Sequence, residues 1–123
     1  MSRTLWSAEV SRIGSDAAEL TTAGVLILFG EPVPDALADV SVVHTHATEL
    51  SRPLKAGDSL IFADQTYVLD EVGGRVFDNL TELGHAVVYI SQPAQELLPG
   101  AIKASGPALG DPALGSTISF VEN

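Results

Sequence analysis

The stretch Ser59-Leu60-Ile61-Phe62-Ala63-Asp64-Gln65-Thr66-Tyr67-Val68-Leu69 decides the fold class. Two short runs of aliphatic, aromatic and β-branched residues flank Ala63-Asp64-Gln65, the pattern of a β-hairpin closed by a tight turn. Runs of similar length recur on both sides. Residues 4–13, 24–29 and 40–48 precede the hairpin, and residues 85–90, 101–105 and 116–121 follow it. In the first, Trp6, Ala8 and Val10 fall on one face. The second is apolar on both faces, as in a central strand. Seven prolines and eleven glycines cut the chain into these segments, and none carries a long 3.6-residue period.

Helical signals are short. Residues 16–19 have capping-box spacing behind Asp16, and residues 34–39 begin with a proline near the first helical position. Residues 78–83 are the strongest candidate, with Asp78 as cap and Gly84 as the left-handed residue that ends it. Gly57 to Phe62 and Gly115 to Phe120 echo one another in the order glycine, two small or polar residues, aliphatic, any, phenylalanine. The expectation is one all-β domain over residues 1–123. It is a small closed or nearly closed β-barrel with one or two short helices, closure removing unpaired edges.

Composition narrows the function. The chain is 46% apolar and 18% charged, which suits a packed core. Sixteen acidic against six basic residues give a net charge of −10, which argues against nucleic-acid binding. The same charge suits solubility or attraction to a basic partner surface. There is no cysteine, and no leader-like apolar region follows Met1-Ser2-Arg3-Thr4-Leu5-Trp6, so a cytoplasmic location is expected. No apolar run reaches bilayer length, and the sequon Asn79-Leu80-Thr81 reads as chance.

Chemistry centres on His44 and His46, two residues apart at the end of a β-branched run. In a continuous strand they share a face, with Val43, Thr45 and Ala47 opposite. Three readings apply. The pair is structural; or it holds a metal; or one imidazole is a nucleophile that carries a phosphoryl group. The metal reading invites comparison with the cupins, whose first motif places a glutamate three or four residues after H-x-H. Here only two residues separate His46 from Glu49, and Pro99-Gly100 is followed by Ala101-Ile102-Lys103 with no histidine. A cupin-like metal- or small-ligand-binding barrel using His44 and His46 stands as the alternative.

The phosphoryl reading needs an accessible neutral nitrogen with donors nearby, roles for which His46, Ser41, Thr45 and backbone N–H groups are candidates. His85, after the helix-ending Gly84, either meets the last helical carbonyls and packs, or supports His44. Gly73-Gly74-Arg75 lacks the lysine and Ser/Thr of a nucleotide-phosphate loop, so no cofactor is called for. No serine lies in a G-x-S-x-G context, and the carboxylates are scattered.

With Arg12-Ile13-Gly14, His44-Thr45-His46 and Asp78-Asn79-Leu80-Thr81-Glu82-Leu83-Gly84-His85, the chain resembles the glucitol/sorbitol-specific IIA components of the bacterial phosphoenolpyruvate-dependent sugar phosphotransferase system. Pro99-Gly100, Gly106-Pro107 and Gly115-Ser116 to Phe120 extend the resemblance nearly end to end. It implies a small β-barrel that acts as a cytoplasmic phosphoryl carrier. The group would arrive on His44 from the histidine-containing phosphocarrier protein and pass to the IIB component of a IIB/IIC membrane permease, which phosphorylates a sugar alcohol on entry. Thr45 stands where relatives carry cysteine, and residues 47–56 differ from the family pattern. The resemblance also implies a His44 open to a protein partner.

Overall fold

The computed structural model describes residues 3–122; Met1, Ser2 and Asn123, the ends of the expected single domain, lie outside the described residues. The described residues form eight strands and three short helices. The strands are β1 (Arg3–Ile13), β2 (Val25–Gly30), β3 (Val42–Thr45), β4 (Ser59–Phe62), β5 (Gln65–Val72), β6 (Ala86–Ile90), β7 (Ala101–Ser105) and β8 (Thr117–Glu122). The helices are α1 (Ala17–Thr22), α2 (Asp35–Ala38) and α3 (Val76–Leu83). The strands close into a barrel in the order β1-β3-β2-β6-β7-β5-β4-β8. The all-β barrel is as expected, with three helices rather than one or two.

The hairpin is formed by β4 and β5, with Ile61 opposite Thr66 and Phe62 opposite Gln65. Its turn is Ala63-Asp64 alone, both with positive φ (51° and 61°), the backbone twist that matches two antiparallel strands. Gln65 therefore belongs to the strand. Two neighbouring pairs, β2 with β3 and β6 with β7, are parallel, and every other pair is antiparallel. The echoed segments lie side by side, Leu60 opposite Phe120, and each follows a glycine with positive φ (97° at Gly57, 82° at Gly115).

Period-two burial fills the barrel. Trp6, Ala8 and Val10 of β1 enter the core with Leu26 and Leu28 of β2, Leu60 and Phe62 of β4, and Tyr67 and Leu69 of β5. Val88 and Ile90, Ile102 and Ala104, and Ile118 and Phe120 complete the wall. Val76 and Leu80, one helical turn apart on α3, and Leu50 and Leu54 from the segment after β3 close onto the same core.

Three local expectations are corrected. Asp16 makes no side-chain cap bond to α1, because its backbone (φ −103°, ψ 0°) is turn-like rather than the extended form of a capping residue. Helix α3 begins two residues early, with Arg75 at the cap position, and Asp78 lies inside the first turn. The cause is burial of Val76, while the Arg75 N–H donates to the Pro99 carbonyl at 2.8 Å. Finally, β3 spans Val42–Thr45 and not residues 40–48; His46 has φ +55°, which no strand accommodates.

Candidate functional site

His44 is placed by three neighbouring elements. On β3 it follows Val42 on the inward face, lying opposite Val10 of β1 and Gly30 of β2. The Glu31 N–H donates to the His44 carbonyl at 2.9 Å, fixing the backbone there. The ring meets the C-terminal end of α3, where His44 Nε2 lies 2.7 Å from the carbonyl oxygen of Gly84. Gly84 has φ +64°, the left-handed conformation that ends α3 and turns this carbonyl toward β3. The Trp6 ring stands edge-on to the imidazole, centroids 5.1 Å apart and planes at 88°.

The two glycines beside the ring are required by its size. A Cβ on Gly84 would stand 2.5 Å from His44 Cε1, and one on Gly30 would stand 3.3 Å from the same atom. The imidazole therefore fills the space that two missing side chains leave. Residues that sequence reasoning treated as a core aromatic (Trp6) and a helix stop (Gly84) turn out to frame the histidine. The adjacency of Gly84 to His85 in the motif was the available signal, although it pointed at the wrong histidine.

His44 is only 1% exposed, so the expectation of an openly accessible imidazole is overturned. Its ring instead walls a cavity of about 370 Å³. Residues 45–50 line the cavity on one side and residues 80–84 on the other, with Trp6, Gly30 and Glu31 completing it. Burial lowers the His44 pKa below its ordinary value, opposed by the Gly84 carbonyl and the charge of Glu31. At neutral pH the ring is thus uncharged and keeps one lone pair free for chemistry.

His46 lines the same cavity but is exposed, because the chain leaves the strand after Thr45. The strict alternation expected for the pair does not hold, yet both histidines reach one cavity. His85 goes elsewhere. Its Nδ1 lies 3.1 Å from the Leu28 carbonyl, its ring packs on Phe29 at 4.9 Å, and it is not among the cavity-lining residues. Ser41 is also committed elsewhere, its hydroxyl donating to the Leu37 carbonyl at 2.7 Å. Among the described residues, no three His, Asp or Glu side chains cluster in a way that could hold a metal ion.

The segment that forms the outer cavity wall is held firmly. Thr48 N–H donates to the Ser7 carbonyl at 2.8 Å, and the Thr48 hydroxyl accepts from the Ser7 N–H at 2.9 Å. Arg52 grips Asp58 with two bonds of 2.9 and 2.7 Å and also donates to Glu122 at 3.1 Å. Asp58 is buried, which by itself raises its pKa. Bonds from Arg52 and the Lys55 N–H, with their charges, outweigh this and hold the carboxyl below its ordinary value. The lining carries Glu31, Glu49 and Glu82 and no lysine or arginine. Glu31 is steadied by the Ser11 hydroxyl at 3.0 Å.

The same barrel occurs in a solved structure described as the PTS system IIA component from Enterococcus faecalis V583. The two agree with a TM-score of 0.79 over 93% of this chain and 98% of that one, at 24% identity, a likeness of fold. The chain belongs to the family of PTS system glucitol/sorbitol-specific IIA components, whose family model matches residues 5–119. It is 30% identical over 116 residues to the glucitol/sorbitol-specific EIIA components of Shigella flexneri and of Escherichia coli K12, covering 94% of each chain in both comparisons.

Proposed function

We propose that this chain is a single-domain cytoplasmic phosphoryl carrier, which takes a phosphoryl group onto His44 from the histidine-containing phosphocarrier protein. It then passes the group to the IIB part of a IIB/IIC permease that takes up and phosphorylates a sugar alcohol of the glucitol/sorbitol type. The observation that carries the reading is the neutral imidazole of His44, oriented by Gly84 and walling a cavity bounded by the family's two motif segments. A neutral, pre-oriented imidazole is a competent nucleophile toward an activated phosphorus. Transfer between two such nitrogens needs positioning and charge balance more than any further reactive group.

With glutamates and no lysine or arginine in the lining, positive charge for the transferred group comes from the docked donor and acceptor. His46, on the exposed rim of the same cavity, supports the group from this chain. His85 orders β6 against β2 and takes no part in the transfer. No described helix is long and apolar enough to cross a membrane.

The test is the intact mass after incubation with phosphoenolpyruvate, enzyme I and the phosphocarrier protein. Wild type, His44→Ala, His46→Ala and His85→Ala are run together, with partners proven on another IIA protein. One acid-labile phosphoryl group, absent in His44→Ala and retained in His85→Ala, is expected. No added mass on wild type refutes the carrier function. Loss in His85→Ala alone, with His44→Ala still labelled, moves the site.

A further inference from the structure

We infer that Leu83 and Glu82, at the end of α3, are the docking contact for the phosphoryl donor, which meets them with an apolar side chain flanked by lysine or arginine. This rests on the carrier reading above and names the surface through which it works. Packing inside the protein explains several members of the segment Asp78 to His85. Leu80 enters the core, Gly84 leaves room for the His44 ring, and His85 bonds to the Leu28 carbonyl. Glu82 and Leu83 differ from these. Both are exposed and both line the cavity. Glu82 has no hydrogen-bond or ion-pair partner among the described residues.

Leu83 shares a stripe of α3 with Val76 and Leu80, at spacings of four and three residues. Val76 and Leu80 are 0% and 2% exposed, whereas Leu83 is 49% exposed. The stripe that anchors α3 thus runs one turn past the core and ends at the cavity. A single exposed leucine is ordinary on a protein surface. What distinguishes this one is the charge around it.

Glu31, Glu49 and Glu82 line the same cavity, all three are exposed, and among the described residues none of them forms an ion pair. The chain's own cations are engaged elsewhere, Arg3 and Arg52 with Glu122, Arg75 with Asp78 and Lys103 with Glu71. Three unpaired carboxylates repel an acidic face and draw in a basic one. Closing an apolar side chain over Leu83 then removes it from water and shields the new ion pairs from salt. An apolar anchor inside a charged rim is the general form of a specific protein contact.

The experiment follows phosphorylation of the full chain by the phosphorylated phosphocarrier protein, with donor concentration varied so that KM and the limiting rate separate. Wild type is compared with Leu83→Ser, Glu82→Gln and the control Leu114→Ser, whose leucine is 68% exposed and does not line the cavity. Leu83→Ser should raise the KM for the donor about tenfold, the loss of one interface anchor, with a limiting rate within about twofold of wild type. Glu82→Gln should raise KM about threefold at low salt and converge on wild type near about 0.5 M salt. Leu114→Ser should match wild type. Thermal melts check folding, and should Leu83→Ser melt low, Glu82→Gln at its exposed position carries the test. A KM for Leu83→Ser equal to that of Leu114→Ser overturns the inference, as does a fall in limiting rate at unchanged KM. Glu82→Gln indistinguishable from wild type at low salt overturns it too. In each of these cases wild type is still phosphorylated and the carrier function stands. No phosphorylation of wild type overturns both.

Discussion

Replacing Gly84 by alanine tests the geometry around His44 most directly. The position has φ +64°, where a Cβ costs about 1 kcal/mol relative to glycine. The new Cβ also stands 2.5 Å from His44 Cε1 and 2.9 Å from the backbone nitrogen of Gly30. The backbone of a central strand cannot swing aside, so the ring must move, and overpacking of this kind costs about 2 kcal/mol. The combined loss is about 3 kcal/mol. At about 2.1 cal/mol/K per residue, 123 residues have an unfolding entropy near 0.26 kcal/mol/K, and the melting temperature should fall by about 12 °C. Gly57→Ala is the control, with φ +97° and open space around its Cβ. It carries the strain alone, about 1 kcal/mol or roughly 4 °C. In a His44→Ala background the ring is gone, and Gly84→Ala should become about 1 kcal/mol less harmful. Thermal melts followed by circular dichroism read all four proteins. Should Gly84→Ala melt no lower than Gly57→Ala, or should the changes at residues 44 and 84 simply add, the ring does not occupy the space assigned to it.

Other expectations concern charge and packing. His44 has a folded pKa below the unfolded 6.5, so the unfolded chain takes the proton first as pH falls. Stability is then full above about pH 6.5 and declines down to the folded value, so wild type should lose more melting temperature than His44→Gln between pH 7.5 and 5.5; equal losses would refute the buried neutral ring. Asp58→Ala strips the acceptors from Arg52 and the Lys55 N–H, and with Arg52 partly exposed the cost should be about 2 kcal/mol in chemical denaturation. Amide exchange across residues 47–57 should quicken in the same variant, and unchanged exchange would mean that the cluster does not hold the cavity wall. His85→Ala should cost about 1 kcal/mol for its carbonyl bond and the contact with Phe29, and should leave the rate of phosphoryl transfer unaltered.

The barrel was legible because its causes are local. Alternating burial along β1, β4 and β5, two positive-φ residues between β4 and β5, and glycine at the end of α3 are all consequences of nearest neighbours in sequence. The start of α3 was misread, and the side-chain cap expected at Asp16 does not form, because capping depends on backbone angles that distant contacts impose, such as Arg75 on Pro99 and Asp16 on the Asp39 carbonyl. The histidine pair was half legible. Spacing alone says that His44 and His46 share a face, but Thr45 is the last strand residue and His46 turns out into solvent.

By itself, then, the sequence determined an all-β chain with an acidic surface and a histidine motif that marks its family, since these depend on composition and short-range pattern. That His44 is buried in the cavity wall while His46 stays exposed on it, and why two glycines must flank the His44 ring, were decided only by tertiary structure. Gly84 is forty residues from His44 in the chain and 2.7 Å from it in space. That bond exists because closure of the barrel brings β3 beside β2 and sets the C-terminal end of α3 across them, a relation that no local pattern encodes.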